Sequence, residues 1–335
     1  MNESRYRFPL IIAAAVLALL LAGIANVVFG STTLHPDEVL VALGLQAGEV
    51  RPMVERIVLE VRLPRSLLAM LTGAGLAMVG ALLQTATRND LADPFLFGLS
   101  SGASAGAVAV ITRLGERLGD WALPVAAFVG GVLSAVAVIL LFLQQRSRGA
   151  ARLVVSGLAV SFLFSALTNY LVFSGDQRAA SSILFWSLGG LGLARWDNIG
   201  FALAGVLLLG ALVALRWRSL DALLAGEQSA VSLGVNVTVL RIEVFLCCAF
   251  ATALFVSLTG VIGFIGLMVP HLARPLSGVR HRCLLPLVAI LGALLMSGGD
   301  LLSRCLLAPQ ELPIGIITAG VGAIFVLAHL MRREG

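Results

Sequence analysis

The stretch GVIGFIGLMVPHLARPLSGVRHR, Gly260 to Arg282, decides the fold. It is apolar, yet the fourteen residues from Gly260 to Ala273 reach only about 21 Å as a helix, against a hydrocarbon core of roughly 30 Å. Gly263, Gly266 and Pro270 break it further. It is not an ordinary spanning helix, and whether the chain crosses a membrane here depends on the segments around it.

Those segments are overwhelmingly apolar. Of 335 residues, 59% are hydrophobic and 12% charged, and the mean hydropathy is +1.00. At this length the balance means repeated membrane spans and excludes a large soluble core. Nine apolar runs have spanning length: Phe8 to Phe29, Ser66 to Thr87, Phe95 to Thr112, Trp121 to Leu143, Leu153 to Ser174, Ile199 to Leu215, Ile242 to Thr259, Leu284 to Leu302 and Pro313 to Met331. The first follows Arg5 and Arg7, exceeds a signal-peptide core and lacks a clear small-residue cleavage site, so it reads as an uncleaved span.

Nine spans would put the termini on opposite faces, whereas Arg5 and Arg7 at one end and Arg332 and Arg333 at the other both ask for the cytoplasm. With the N-terminus inside, Arg88, then Arg146, Arg148 and Arg152, then Arg216, Arg218 and Arg241 all fall inside, as the arginine bias demands. Arg274, Arg280 and Arg282 belong inside too. Two crossings therefore separate Arg241 from Arg274, and the second is Gly260 to Ala273. The reading is ten transmembrane helices in one all-α domain, residues 1–335, with both termini cytoplasmic. Arg51, Arg56, Arg62, Arg65, Arg113, Arg117, Arg178, Arg195 and Arg304 are left outside, fewer than inside. A short crossing with Gly and Pro must have its backbone groups covered by protein or water, so it belongs against other helices or a cavity. Ten spans also divide into five plus five of opposite orientation, the plan of an inverted repeat.

Two further stretches stand apart. Outside, ILFWSLGGLGL, Ile183 to Leu193, suits a short helix at the outer mouth. Inside, the longest loop, about residues 216–241, carries SLDALLAGEQSAVSLGVNV, with Leu220, Leu223 and Leu224 at helical spacing, a break at Gly226 and a second turn ending at Gly234. An apolar-faced helical pair there points to a partner.

Several classes are excluded. The 23 basic residues are all arginine, so the lysine that a phosphate-binding P-loop needs is missing. Arginines beside spans are explained by orientation, which sets nucleic acid aside. Cys247, Cys248, Cys283 and Cys305 have neither metal-ligand nor disulfide spacing and read as small buried hydrophobes. No HExxH or serine-nucleophile arrangement lies in the spans. Glu243 and Asp300, near ends of apolar runs, read as local partners of Arg241 and Arg304, and His271 as a helix-end residue at the cytoplasmic face.

Four blocks resemble one family. RLPRSLLAMLTGAGLAMVGALLQTATRNDLADPFLFGLSSGAS (Arg62 to Ser104), LLAGEQSAVSLGV (Leu223 to Val235), GVIGFIGLMVPHLAR (Gly260 to Arg274) and ELPIGIITAGVGAIFVLAHLMRR (Glu311 to Arg333) are similar, in order and spacing, to the FecCD-type permeases of importers for iron-siderophore, heme and cobalamin. The resemblance implies a type II ABC importer permease in the bacterial inner membrane. It implies dimerisation, a homodimer being favoured, two ATPase subunits that bind the ATP and Mg, and a periplasmic binding protein. This chain would then have no catalytic residue, metal or cofactor of its own. Arg62, Arg65 and Arg304 would dock the binding protein. Leu223, Gly226, Glu227, Ala230, Leu233 and Gly234 would meet the ATPase, and Asn89, Leu91, Ala150 and Ala151 would line the cytoplasmic gate. Asp90 stands where the family commonly has proline, and Ala150 and Ala151 where related permeases carry small hydroxyl residues. The rival reading from residues alone is a secondary transporter driven by an ion gradient, which the inverted repeat would equally allow. Against it, the spans hold few carboxylates for coupling ions, and the inner helical pair would go unexplained.

Overall fold

Backbone groups in hydrocarbon must pair within their own segment, so an apolar chain of this length resolves into helices. The computed structural model describes residues 3–113, 119–145, 149–176 and 179–333. Arg117, Arg146, Arg148 and Arg178 lie outside the described residues, as do the side chains of Arg5, Arg7, Arg332 and Arg333. The elements are α1 (Glu3–Val28), α2 (Pro36–Ala42) and α3 (Pro52–Arg56), the last running through a π-helical segment (Ile57–Arg62) into α4 (Leu63–Thr87). A 3-10 turn (Pro94–Phe97) leads to α5 (Leu99–Arg113), α6 (Ala122–Gln144), α7 (Ala150–Ser174) and α8 (Ala180–Ser187). Then come α9 (Trp196–Leu224), α10 (Glu227–Ser232), α11 (Val237–Thr259), α12 (Ile265–Ser277), α13 (His281–Cys305) and α14 (Ile314–Arg333). Among the described residues there is no strand, only an isolated bridge between Leu307 and Gln310.

Among the described residues seven helical stretches are long and apolar enough to cross a membrane: α1, the run from α3 through α4, α6, α7, α9, α11 and α13. The other three expected crossings fall on the shorter α5, α12 and α14. The expected span from Phe95 is split, because Asp93 caps a separate turn and Gly98, at φ +75°, turns the chain before α5 begins. The outer stretch from Ile183 is helical only to Ser187; Leu188 to Ala194 continue as irregular chain over the protein.

α4 is the hub, packed on α1, α9, α11, α12 and α13. In its apolar window 83% of residues are buried, against 6% in α1. Small residues make this close packing possible: a Cβ on Gly80 would fall onto the carbonyl of Gly266 in α12, so the two backbones touch. Around that contact Leu68, Leu82, Leu83, Phe97, Phe245 and Phe255 fill the core. Phe97 meets Phe245 edge-on, with ring centroids 5.7 Å apart.

The deciding stretch is half loop, half helix. Gly260 to Phe264 is irregular, and α12 supplies 13 residues, about 20 Å. The irregular half is covered by protein. Gly260 lies against the carbonyl of Trp186, and Phe264 packs on Gly322 of α14. The neighbouring backbone is cross-tied as well: Gly190 N–H donates to Thr259 O at 2.8 Å and Gly315 N–H to Leu188 O at 3.1 Å. The irregular chain beside Gly260 thus has backbone partners, as a hydrocarbon setting requires. His271 does not end a helix: it sits inside α12, half-buried, its ring centroid 6.2 Å from that of Phe325 in α14.

Candidate functional site

Charged side chains gather at the two ends of the bundle. At the end that arginine placement assigns to the cytoplasm, α9 continues past its apolar stretch and stops at Leu224. Gly226, at φ +123°, breaks the chain; α10 follows and Gly234, at φ +81°, closes the turn. Of the six residues expected to meet a partner, Leu223 and Ala230 are fully buried within the subunit, where with Leu220 they pin α10 to the bundle. Their contacts face inward because the helical stripe is consumed by the fold itself. The outward apolar surface is Leu233, 71% exposed, with Val231 and Leu224 beside it.

Beneath α10 lies Arg241 of α11, 2% exposed. It pairs with Glu227, and its Nε donates to Ala86 O at 3.0 Å. Glu243, expected to pair with Arg241, instead binds Arg216 of α9 at 2.6 Å, because two residues along a helix, about 200°, turn it to the opposite side of α11. Beside Arg241, Asp221 at the end of α9 accepts from the His281 backbone N–H at 2.9 Å, and its Oδ1 lies 2.6 Å from His281 Nδ1. His281 Nε2 in turn lies 2.9 Å from Thr85 Oγ1. From α12, Arg274 donates to Gln84 Oε1 at 2.7 Å and to Asp90 Oδ1 at 2.9 Å.

These contacts converge on the last turn of α4. That helix ends with Arg88 in the left-handed region at φ +51°, Arg88 N–H bonding Thr85 O and Asn89 N–H bonding Gln84 O. The loop beyond carries Asn89, half-buried, whose Oδ1 accepts from Leu91 N–H at 3.0 Å, and Leu91, 60% exposed. Asp93 is buried at the start of the 3-10 turn, where its Oδ1 accepts from Phe95 N–H at 2.9 Å. Burial pushes its carboxyl up to about 6, against the lowering effect of that hydrogen bond. Ala150 and Ala151 open α7, the first half-buried and the second exposed.

At the opposite end Arg62, Arg65 and Arg304 do not project into solvent; they are 4%, 8% and 3% exposed. Arg62 donates to the carbonyls of Val27, Val28 and Thr32, and Arg304 to Phe29 O and to both oxygens of Asn26. Together they satisfy the orphan carbonyls at the end of α1. Asp300, 0% exposed, receives Arg65 Nε at 2.9 Å, while its other oxygen lies 3.0 Å from Arg304 Nε in ion-pair contact. Asp300 thus pairs with Arg304 as expected and with Arg65 as well. Arg65 also reaches Glu311 at 2.7 Å. Burial raises the Glu311 carboxyl, but the Arg65 charge and hydrogen bond outweigh it and hold the group below its usual range. An apolar pocket of about 350 Å³ between α12, α13 and α14 is lined by Leu272, Leu295 and Val321. Among the described residues no cluster of metal-ligating side chains forms, and Cys305 is exposed, unlike the buried Cys248.

The polar contacts with α4 were missed from sequence. Gln84, Thr85, Asp221 and His281 are single polar residues scattered over 198 positions of chain, and only the pairing of distant helices relates them.

The FecCD transport family matches residues 17–332. The hemin transport system permease protein of Yersinia pestis is 38% identical over 280 residues, covering 82% of this chain and 83% of its own. The Fe(3+) dicitrate transport system permease protein FecD of Escherichia coli is 38% identical over 278 residues, covering 83% and 86%. The cobalamin import system permease protein of Halobacterium salinarum is 38% identical, covering 88% and 78%. Among solved structures, a metal-chelate type ABC transporter in an inward-facing conformation superposes with a TM-score of 0.84 at 31% identity, covering 97% of this chain and 99% of its own. A family match over nearly the whole length, on a helical membrane fold of the same shape, establishes that the chain belongs to the FecCD transport family of ABC permeases.

Proposed function

We propose that this chain is the membrane half of an ATP-driven importer that moves a metal chelate from periplasm to cytoplasm by alternating access. Two copies form the pathway in the bacterial inner membrane, each with ten crossings in two inverted halves and both termini in the cytoplasm. Two ATPase subunits dock below and hold the ATP and Mg; a substrate-binding protein docks above. The observation that carries the reading is the end of α9 and α10: Val231 on α10 and Leu233 at its C-terminal cap are 61% and 71% exposed, while Ala230 of α10 and Leu220 and Leu223 of α9 are fully buried. A rigid apolar knob beyond the membrane, on a chain without lysine, fits a contact that receives motion from a nucleotide-binding partner. Asn89, Leu91, Ala150 and Ala151 form the inner gate. On the outer face Arg65, which borders an open pocket with Glu311 and Leu312, is the contact for the binding protein, with Arg62 and Arg304 holding its surroundings.

Uptake of hemin, ferric citrate and cobalamin into proteoliposomes holding the purified complex tests the reading. Vanadate-sensitive uptake of at least one, with an ATPase co-purifying, is the expected result. Uptake that survives vanadate but collapses with an uncoupler at constant ATP overturns it in favour of ion-gradient transport.

A further inference from the structure

The last turn of α4, Gln84 to Ala86, is held by three basic side chains, each from a different helix. Arg241 of α11 bonds Ala86 O at 3.0 Å, His281 of α13 lies 2.9 Å from Thr85 Oγ1, and Arg274 of α12 bonds Gln84 Oε1 at 2.7 Å. Two of the three have their other end on the segment that precedes or forms α10: Arg241 on Glu227 and His281 on Asp221. The third has its other end on Asp90 in the loop beyond α4. Arg241 and His281 are themselves 2% and 0% exposed, so neither can trade its partners for water at low cost.

We propose that Arg241 and His281 are positioning residues that carry displacement of α10 to the last turn of α4, and Arg274 a third that passes it to the gate loop Asn89 to Leu91. The proposal rests on the importer reading and deepens it by naming the route inside this subunit. The chemistry suits the task. Hydrogen bonds to ions are shorter and stronger than neutral ones, and buried ones do not slacken, so a shift of α10 must move α4 or break a costly contact. The attachment points are well chosen. Ala86 O is one of the carbonyls that a helix C-terminus leaves unpaired, where a cation is favoured. Only Arg88 separates the end of α4 at Thr87 from Asn89. A direct apolar contact between α10 and the gate loop is not needed, because both ends of the route are ionic.

The test uses the permease–ATPase complex with Cys247, Cys248, Cys283 and Cys305 replaced and a single Leu91→Cys at the gate. Its rate of reaction with a membrane-impermeant maleimide is compared with and without ATP and vanadate. In the otherwise wild-type background the nucleotide should change the rate about tenfold. Arg241→Gln or His281→Gln should abolish that change, while co-purification with the ATPase and basal ATP hydrolysis stay within twofold. A merely structural role would lower assembly and hydrolysis and leave the nucleotide response of surviving complexes intact, and that result would overturn the proposal. If the Arg241 and His281 variants fail to accumulate, Asp221→Ala, which removes the acceptor of both His281 contacts, cuts the His281 route from its 24% exposed end and must give the same loss of response. No response in the wild-type background overturns the importer reading together with the proposal; a response retained in every variant overturns the proposal alone.

Discussion

Asp300 shows how much rests on single side chains at the outer end. It is a fully buried carboxylate between Arg65 and Arg304, and Arg62 stands close by on the carbonyls of α1. Asp300→Asn leaves Arg304 buried without its counter-charge and Arg65 with Glu311 alone, which costs on the order of 3–5 kcal/mol. Thermal unfolding in detergent should show a Tm far below wild type, whereas Glu311→Gln, whose carboxylate is 36% exposed, should shift it little. The same burial separates docking from folding at these positions: Arg65→Glu should weaken binding-protein affinity, and its effect must be read beside Tm. Asp93 gives a second prediction. Its carboxyl is raised from 3.8 to about 6, so between those values the native state binds more protons than the unfolded chain and stability falls as pH rises. At about 1.4 kcal/mol per unit, the loss above pH 6 is on the order of 3 kcal/mol. Asn keeps the oxygen that caps Phe95 and has no charge to bury. Asp93→Asn should therefore flatten the dependence of Tm on pH between about 4 and 6 and raise Tm at pH 7; an unchanged profile would show that Asp93 is solvated.

Between elements, the contact of α4 with α12 sets how closely the short helix packs on the hub. A side chain on Gly80 would enter the backbone of Gly266, so Gly80→Val should force the helices apart and cost on the order of 1–3 kcal/mol. Gly210 in α9 is the control. Nothing lies within 4 Å of its would-be Cβ, and Gly210→Val should leave stability within about 0.5 kcal/mol. This level was the most legible in the sequence. The irregular break and short helix fall within Gly260 to Arg282, the stretch whose glycines and prolines exclude a regular span, and Gly226 and Gly234 mark the breaks around α10 because left-handed backbone is a local demand. What escaped were partners: Arg65 and Glu311 lie 246 positions apart, and no local pattern reports a pair that only helix packing brings together. For the same reason Leu223 read as a partner-facing residue and proved to be core. Helical spacing shows that a stripe is apolar, not which neighbour covers it.

Taken whole, the molecule exposes apolar side chains both along its spans and beyond them, and the exposed surface of α10 is separable from its fold. Apolar residues exposed along α1 and α7, such as Leu17 and Phe162, belong to helices long and apolar enough to cross a membrane. Leu233 and Val231 lie beyond any span, and water is a poor neighbour for them. Burying one such side chain in a partner is worth about 1.5–3 kcal/mol, or roughly 10- to 100-fold in affinity. Leu233→Asp removes that gain and adds a charge to desolvate, so the ATPase should be lost from the purified complex. The permease itself should still accumulate and unfold at its normal temperature, since the residue has few contacts within the subunit. Ala230→Asp one turn earlier should do the reverse: its site is fully buried against the bundle, so Tm falls before binding can be measured. The two variants, compared by co-purification and Tm, distinguish an ATPase contact from a helix that merely lies on the bilayer. In the latter case Leu233→Asp would release α10 from lipid and leave the amount of co-purified ATPase unchanged.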